Sequence, residues 1–282
     1  MALPPLHPQV PKPIRRSAVR RAAGRQYYII RRKWHWHFSG TAYARRSAGE
    51  LLPEVVFAHQ TPLLRRLKDV DMYLQHNKVT NLRLALPRLN RLLVQPGETF
   101  SYWYALGKPT RSKGYLPGLQ LDQGRLKSAT GGGLCQLSNL IFWLSAHTPL
   151  TIVERWRHSF DVFPDVNRTQ PFGSGATCAW NYIDLQLRND TSQPLQLHLW
   201  LDEEYLHGEW RTTTPFPERY EVYESDHLFR QEYWGYTRHN RIARRVYDVR
   251  YGELLREEPL VENHAIMLYN PLLPEENTPK DS

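Results

Sequence analysis

The sequence predicts an α+β fold in which antiparallel strands pack on a cysteine-bearing helix. Three observations carry this. Leu137, Leu140, Ile141 and Leu144 repeat at i, i+3, i+4 and i+7, one apolar stripe of a helix, directly behind Gly131, Gly132 and Gly133. Leu195, Leu197, Leu199 and Leu201 alternate with Gln196, His198 and Trp200, the period of a half-buried strand. Twenty-one prolines among 282 residues disfavour an all-helical chain.

The elements follow in order. Residues 1–13 are proline-rich and irregular. Residues 14–36 are basic with scattered apolar positions. They read as a helix interrupted at Gly24, while Trp34 and Trp36, interleaved with His35 and His37, read as a strand. Leu63, Leu67, Val70 and Leu74 fall at helical spacing, and Leu82, Leu86 and Leu89 extend the pattern to Asn90, with Pro87 bending or shortening it. Two short strands flank a turn at Pro96–Gly97. Residues 113–133 read as a glycine-rich loop with one short strand. The cysteine helix covers residues 131–146 and stops at Thr148–Pro149. Residues 150–163, β-branched and aromatic, read as one strand. Residues 179–189 and 194–202 read as an antiparallel pair turning at Asn189–Asp190, and a further hairpin is expected at His207–Gly208. Beyond Pro217 weak strand patterns suit a small appended β unit or a strap.

With 41% hydrophobic and 12% aromatic residues the chain can bury a real core. Two cysteines, Cys135 and Cys178, make no disulfide framework, which favours a reducing compartment. No run of 18 apolar residues and no leader-type apolar stretch near the start point to a soluble, cytoplasmic protein without a transmembrane segment. Residues 1–70 hold 14 Lys/Arg against 3 Asp/Glu, and the remainder 23 against 25, so the net charge of +9 belongs to the N-terminal quarter. That segment suits weak contact with an anionic surface. No specific nucleic-acid signature accompanies it.

The chemistry-bearing stretch is TGGGLCQLSN. A thiol becomes a nucleophile when ionised, and a helix N-terminus favours the thiolate. Cys135 sits there, and Gln136 with nearby backbone amides could hold an oxyanion. His158, on the strand read after this helix, has the order of a general base, and Asp184, on the next strand, that of its orienting acid. Asp161, Asp165 and Asn181 are alternatives for the third role. Helix-start nucleophile, then base, then acid resembles in topology the transglutaminase-like and papain-like thiol enzymes. Gly131, Gly132, Gly133, Ser159 and Trp143 are the expected substrate-binding positions. Cys135, His158 and Cys178 fit no common zinc spacing, and no P-loop is present, so neither metal nor cofactor is expected. In a second reading Cys135 is a small packed residue, and the glycine turn with Trp103, Trp143 and Trp156 shapes a groove for non-covalent binding. A third reading makes residues 14–46 a basic adaptor.

QPGETFSYWYALGKPTRSKGYLPG, GGGLCQLSN, RHSFDVFPD, PFGSGAT and NYIDLQLRNDT together resemble the VanW family, whose namesake is an accessory protein of type B vancomycin resistance. The resemblance covers roughly residues 65–210. It divides the chain into a basic N-terminal extension (1–64), a VanW-like domain (65–215) and an aromatic, charged C-terminal extension (216–282). It implies a link to the cell envelope, and either amide hydrolysis or acyl transfer on a peptide-like substrate, or an accessory ligand-binding role. Gly131, Gly132, Gly133, Cys135, Gln136 and His158 match the family's motifs, and Asp184 matches an acidic position on its later strand. Many exported relatives carry an acid in the PFGSGAT stretch, where this chain has Gly173, Ser174 and Gly175, so the third site member stays open.

Overall fold

Ser17 starts the first helix, α1 (Ala18–Phe38), by accepting a hydrogen bond from the Arg20 amide at 3.3 Å. The structure is a computed structural model that describes residues 16–64, 71–122, 124–162 and 170–269, together with residues 6, 10 and 14. Leu67, Val70 and Asp165 lie outside the described residues. Helix α1 continues through Gly24 and through Trp34–Phe38, so the strand expected at the tryptophans is helical. Only Trp36 on it is buried, packed on Tyr104 and Trp180.

The central sheet is antiparallel, ordered β1 (Glu54–Pro62), β10 (Tyr205–Thr212), β9 (Leu195–Leu201), β2 (Leu92–Val94). Leu195, Leu197 and Leu199 point into the core as their alternation predicts. Helix α2 (Met72–Leu89) lies over this sheet and carries Pro87 in its last turn, where it terminates the helix one residue before Asn90. Helix α4 (Cys135–Ala146) packs its stripe of Leu137, Leu140, Ile141 and Leu144 on β10 and β1. Gly208 on β10 gives α4 room, since a Cβ there would press on Leu144 and Leu199. The Trp210 indole donates to Ser145 Oγ at 2.9 Å and fixes α4 along the sheet.

Three further sheets complete the fold. Strand β8 (Gln186–Arg188) sits between β3 (Thr99–Ser101) and β6 (Thr151–Glu154), antiparallel to both. The pair expected between residues 179–189 and 194–202 therefore does not form. The first segment joins β3 and β6, and the second joins β10 and β2. A short helix, α3 (Tyr102–Leu106), follows β3 directly, capped by Ser101 Oγ. Residues 114–130, expected as mostly loop, carry a full hairpin of β4 (Pro117–Asp122) and β5 (Arg125–Thr130). The strand expected over 150–163 splits: β6 ends at Glu154 and β7 (Phe160–Asp161) pairs in parallel with β13 (Leu254–Met267). The weakly patterned C-terminal region forms long strands, β11 (Glu218–Glu232), β12 (Gly235–Asp248) and β13. Arg241 opposite Glu262, Arg244 opposite Glu258 and Arg245 opposite Glu257 pair across β12 and β13, which explains how such charged segments hold a sheet.

Candidate functional site

The glycine run is a packed corner. Gly132 lies against Gly118 of β4 so closely that a Cβ on either would collide with the other's carbonyl. Gly133, at φ +90°, receives the Lys78 side chain of α2, and Gly131, at φ +75°, packs on Pro109. Asn81 of α2 locks the corner, donating to the carbonyls of Gly132 at 2.9 Å and Leu116 at 3.0 Å and accepting from the Leu116 amide at 2.8 Å. These contacts account for the glycines through close backbone approach.

Cys135 is the first residue of α4 and is half-buried, whereas Cys178 is buried, and both are free thiols. The Cys135 thiol faces the Cys178 carbonyl at 4.0 Å. Burial pushes the Cys135 thiol above the ordinary thiol range, against a smaller opposing effect of that hydrogen bond. Desolvation is the largest influence on this thiol. Cys178 is raised still further, by burial first and then by the charges of Asp184 and Cys135. Tyr102 donates to the Leu134 carbonyl at 3.0 Å and ties α3 to the turn before the cysteine.

Asp184, the expected orienting acid, is fully buried. It accepts from Ser101 Oγ at 2.5 Å, from the amides of Trp103 and Leu185 at 3.0 Å each, and from Gln186 Nε2 at 3.3 Å. Burial pushes its carboxyl up to about 6, although these donors and Arg32 oppose the rise. Beside it, Glu154 Oε1 accepts from Arg32 at 2.5 Å, from the Trp156 indole at 2.8 Å and from the Asp184 amide at 3.3 Å. Ser101, Glu154 and Arg32 were not singled out by spacing. The one local signal was serine directly before the short apolar run of α3, an N-cap pattern.

His158 lies in the irregular stretch between β6 and β7, not on a strand face, and Trp156 is exposed. Among the described residues no hydrogen bond joins His158 to Cys135 or Asp184. Burial and the Arg157 charge lower the basicity of its ring. The stretch is held to the site region through the Trp156 carbonyl, which accepts from Thr177, one residue before Cys178. Gln136 donates to Thr61 Oγ1 and to the Pro62 carbonyl, both at 2.9 Å, so it fastens α4 to the end of β1. Trp143, two turns along α4, sits edge-on to His147, which stacks on Phe57 at 3.9 Å. Ser159 is exposed, and its carbonyl accepts from the Ile266 amide at 2.9 Å. Asp161 is buried and engaged by Arg238 at 3.3 Å and by the Tyr269 hydroxyl at 2.9 Å. Asn181 is buried, and among the described residues neither of its amide atoms has a hydrogen-bond partner. The structure thus gathers Cys135, Cys178, Asp184 and Tyr102 into one region, and engages Gln136, Trp143 and Asp161 elsewhere.

Among the described residues no group of three His, Cys, Asp or Glu could hold a metal ion, and no helix is long and apolar enough to cross a membrane. Comparison with known proteins adds the family. Residues 77–211 match the family model described as VanW like protein. The chain is 34% identical over 232 residues to the vancomycin B-type resistance protein VanW of Enterococcus faecalis, covering 82% of this chain and 84% of that protein. It is 35% identical over 115 residues to the uncharacterised protein YoaR of Bacillus subtilis, covering 41% of this chain and 36% of that one. No solved structure matches the chain. With a relative of that identity aligned along most of both chains, and the family's own segment spanning the glycine corner, the cysteine helix and Asp184, this protein belongs to the VanW family.

Proposed function

We propose that this protein serves vancomycin-type glycopeptide resistance as an accessory protein that binds a peptide-like, cell-envelope-related ligand without covalent catalysis. The link to resistance rests on the name of the enterococcal relative. The observation that carries the non-covalent reading is the Cys135 thiol, kept neutral by burial and turned to the Cys178 carbonyl. Asp184 supports it too, because its carboxylate is spent on Ser101, Trp103 and Leu185. The exposed Trp156, whose carbonyl accepts from the Thr177 amide one residue before Cys178, offers a ligand an apolar face. Two free cysteines accord with a reducing, cytoplasmic setting.

One observation favours a second reading, a cysteine hydrolase or acyltransferase: of the two thiols, the one that opens α4 is the more accessible. There Cys135 would attack, His158 would take its proton, Asp184 would orient the ring, and Gln136 would meet the oxyanion, in the order seen in transglutaminase-like and papain-like enzymes. That route requires His158 to reach the sulfur when ligand binds. The two readings separate with a soluble muramyl pentapeptide as probe, using calorimetry and intact-protein mass spectrometry on wild type and Cys135→Ala. The binding reading expects similar affinity for both proteins, no cleaved peptide and no adduct. Cleavage or a thioester that disappears in Cys135→Ala would establish the enzyme instead, and no binding by either protein would refute the ligand class.

A further inference from the structure

We infer that α1 is an interfacial anchor that lays its outer face into an anionic lipid surface. Val19, Ala23, Tyr27, Ile30, Trp34 and Phe38 recur every three or four residues, and at 3.6 residues per turn they share an arc of roughly 100°. This stripe faces solvent: its large members, Val19, Tyr27, Ile30, Trp34 and Phe38, are between 59% and 79% exposed. An apolar face of this length on a water-exposed helix calls for a partner.

The opposite side of the same helix is already used. Arg32 pairs with Glu154 at 2.5 Å and donates to the Tyr182 carbonyl at 3.2 Å. Tyr28 stacks on Tyr182, and Trp36 is buried against Trp180 and Tyr104. The helix is thus held on the body by one edge, with the other edge presented outward and ordered in advance.

Charge identifies the occupant. Residues 16–38 contain seven Lys/Arg and no Asp or Glu. Arg20 and Arg31 border the apolar stripe on one side and Lys33 on the other, which is the arrangement of helices that lie in the headgroup layer of anionic bilayers. Trp34 and Tyr27 supply the amphipathic rings favoured at that depth. The helix is not apolar enough to cross the bilayer, so it lies in the interface plane. A nucleic acid would use the cations but leave the apolar stripe in water.

The test is flotation of the full chain with vesicles of phosphatidylcholine alone and of equal parts phosphatidylcholine and phosphatidylglycerol. Wild type is expected to float with the mixed vesicles and weakly with the neutral ones. Trp34→Ser with Phe38→Ser should lose at least about tenfold in partitioning. Arg31→Gln with Lys33→Gln should lose about fivefold per charge, on mixed vesicles only. Far-UV circular dichroism and thermal unfolding verify the fold, and Ile30→Ser is a second apolar variant should the double one unfold. The inference is overturned if wild type does not float, or if the apolar variants float as well as wild type. It is equally overturned if an oligonucleotide binds with no sensitivity to Trp34 and Phe38, or if α1 instead mediates a dimer that binds no vesicles.

Discussion

Burying a carboxylate costs several kcal/mol unless donors surround it, and Asp184 has donors from four residues. Its role in this structure is to bind β8 to the start of α3, where the free Trp103 amide of the first turn needs an acceptor. Asp184→Ala leaves Ser101 and two amides unpaired, and is expected to cost about 1–3 kcal/mol in denaturant unfolding. Asp184→Asn keeps an acceptor for the amides and is expected to be much milder. The two also differ with pH. The folded pKa of about 6 lies above the unfolded value near 4, so the native state holds the proton more tightly and stability declines as pH rises from about 4 to about 6. Asp184→Asn should abolish that contribution. Asp184 was legible as a candidate only by its order along the chain. Its burial was not legible, because the donors that permit it come from residues 101 and 103, more than eighty positions away.

At the scale of elements, the glycine corner and the helix tethers decide what α4 can do. Gly132→Ala sets a methyl against the Gly118 carbonyl, between two backbones that cannot yield as a side chain can. It is expected to destabilise by about 1–3 kcal/mol or to prevent folding, read from thermal unfolding and soluble yield. Trp36 offers a finer test of α1 docking. Its indole nitrogen is buried with no partner among the described residues, so Trp36→Phe is expected to cost under about 1 kcal/mol, while Trp36→Ala should cost about 3 kcal/mol or more. The stripe of α4, the Leu74, Leu82, Leu86 and Leu89 positions of α2 and the alternation of β9 were readable because local periodicity reports which face is buried, whereas Leu63, read into the same helix, lies just past the end of β1. Partner choice was not. Residues 186–188 and 195–201 both read as strands and lie close in sequence, yet they belong to different sheets. The alternation of Trp34, His35, Trp36 and His37 imitated a strand over four residues, whereas the Ser17 cap and the longer 3.6-residue period carry the helix through them.

Across the whole molecule, acid and base act on opposing groups. Burial pushes His147 down to about 4, and burial with the charge of His264 does the same for His239. Both lie below the unfolded value near 6.5, so their stabilisation is complete above about 6.5 and is lost as pH falls toward 4. His59, His158 and His264 are lowered by burial in the same direction, so these five rings oppose the raised carboxyl of Asp184, and net stability is expected to fall between pH 6.5 and 4, and more steeply in Asp184→Asn. Denaturant melts at several pH values check this, and a flat profile would mean the rings are solvated. At this scale the basic N-terminal quarter was evident in the sequence, and the structure gives it a form: a cationic helix tethered at Glu154, beside the buried carboxylate of Asp184. The long charged strands β11 to β13 were hard to read because their charged positions pair across strands as Arg–Glu, which no single segment displays.

The non-covalent binding role requires a neutral Cys135 thiol. The most direct measurement is its rate of alkylation by iodoacetamide as a function of pH, followed by peptide mapping against Cys178 and with Cys135→Ser as control. The structure predicts that Cys135 reacts slowly at neutral pH and accelerates only above the ordinary free-thiol range of about 8.5. Rapid alkylation of Cys135 below pH 7 that is lost in His158→Ala would contradict it, and would mean that His158 reaches the sulfur and makes it a nucleophile.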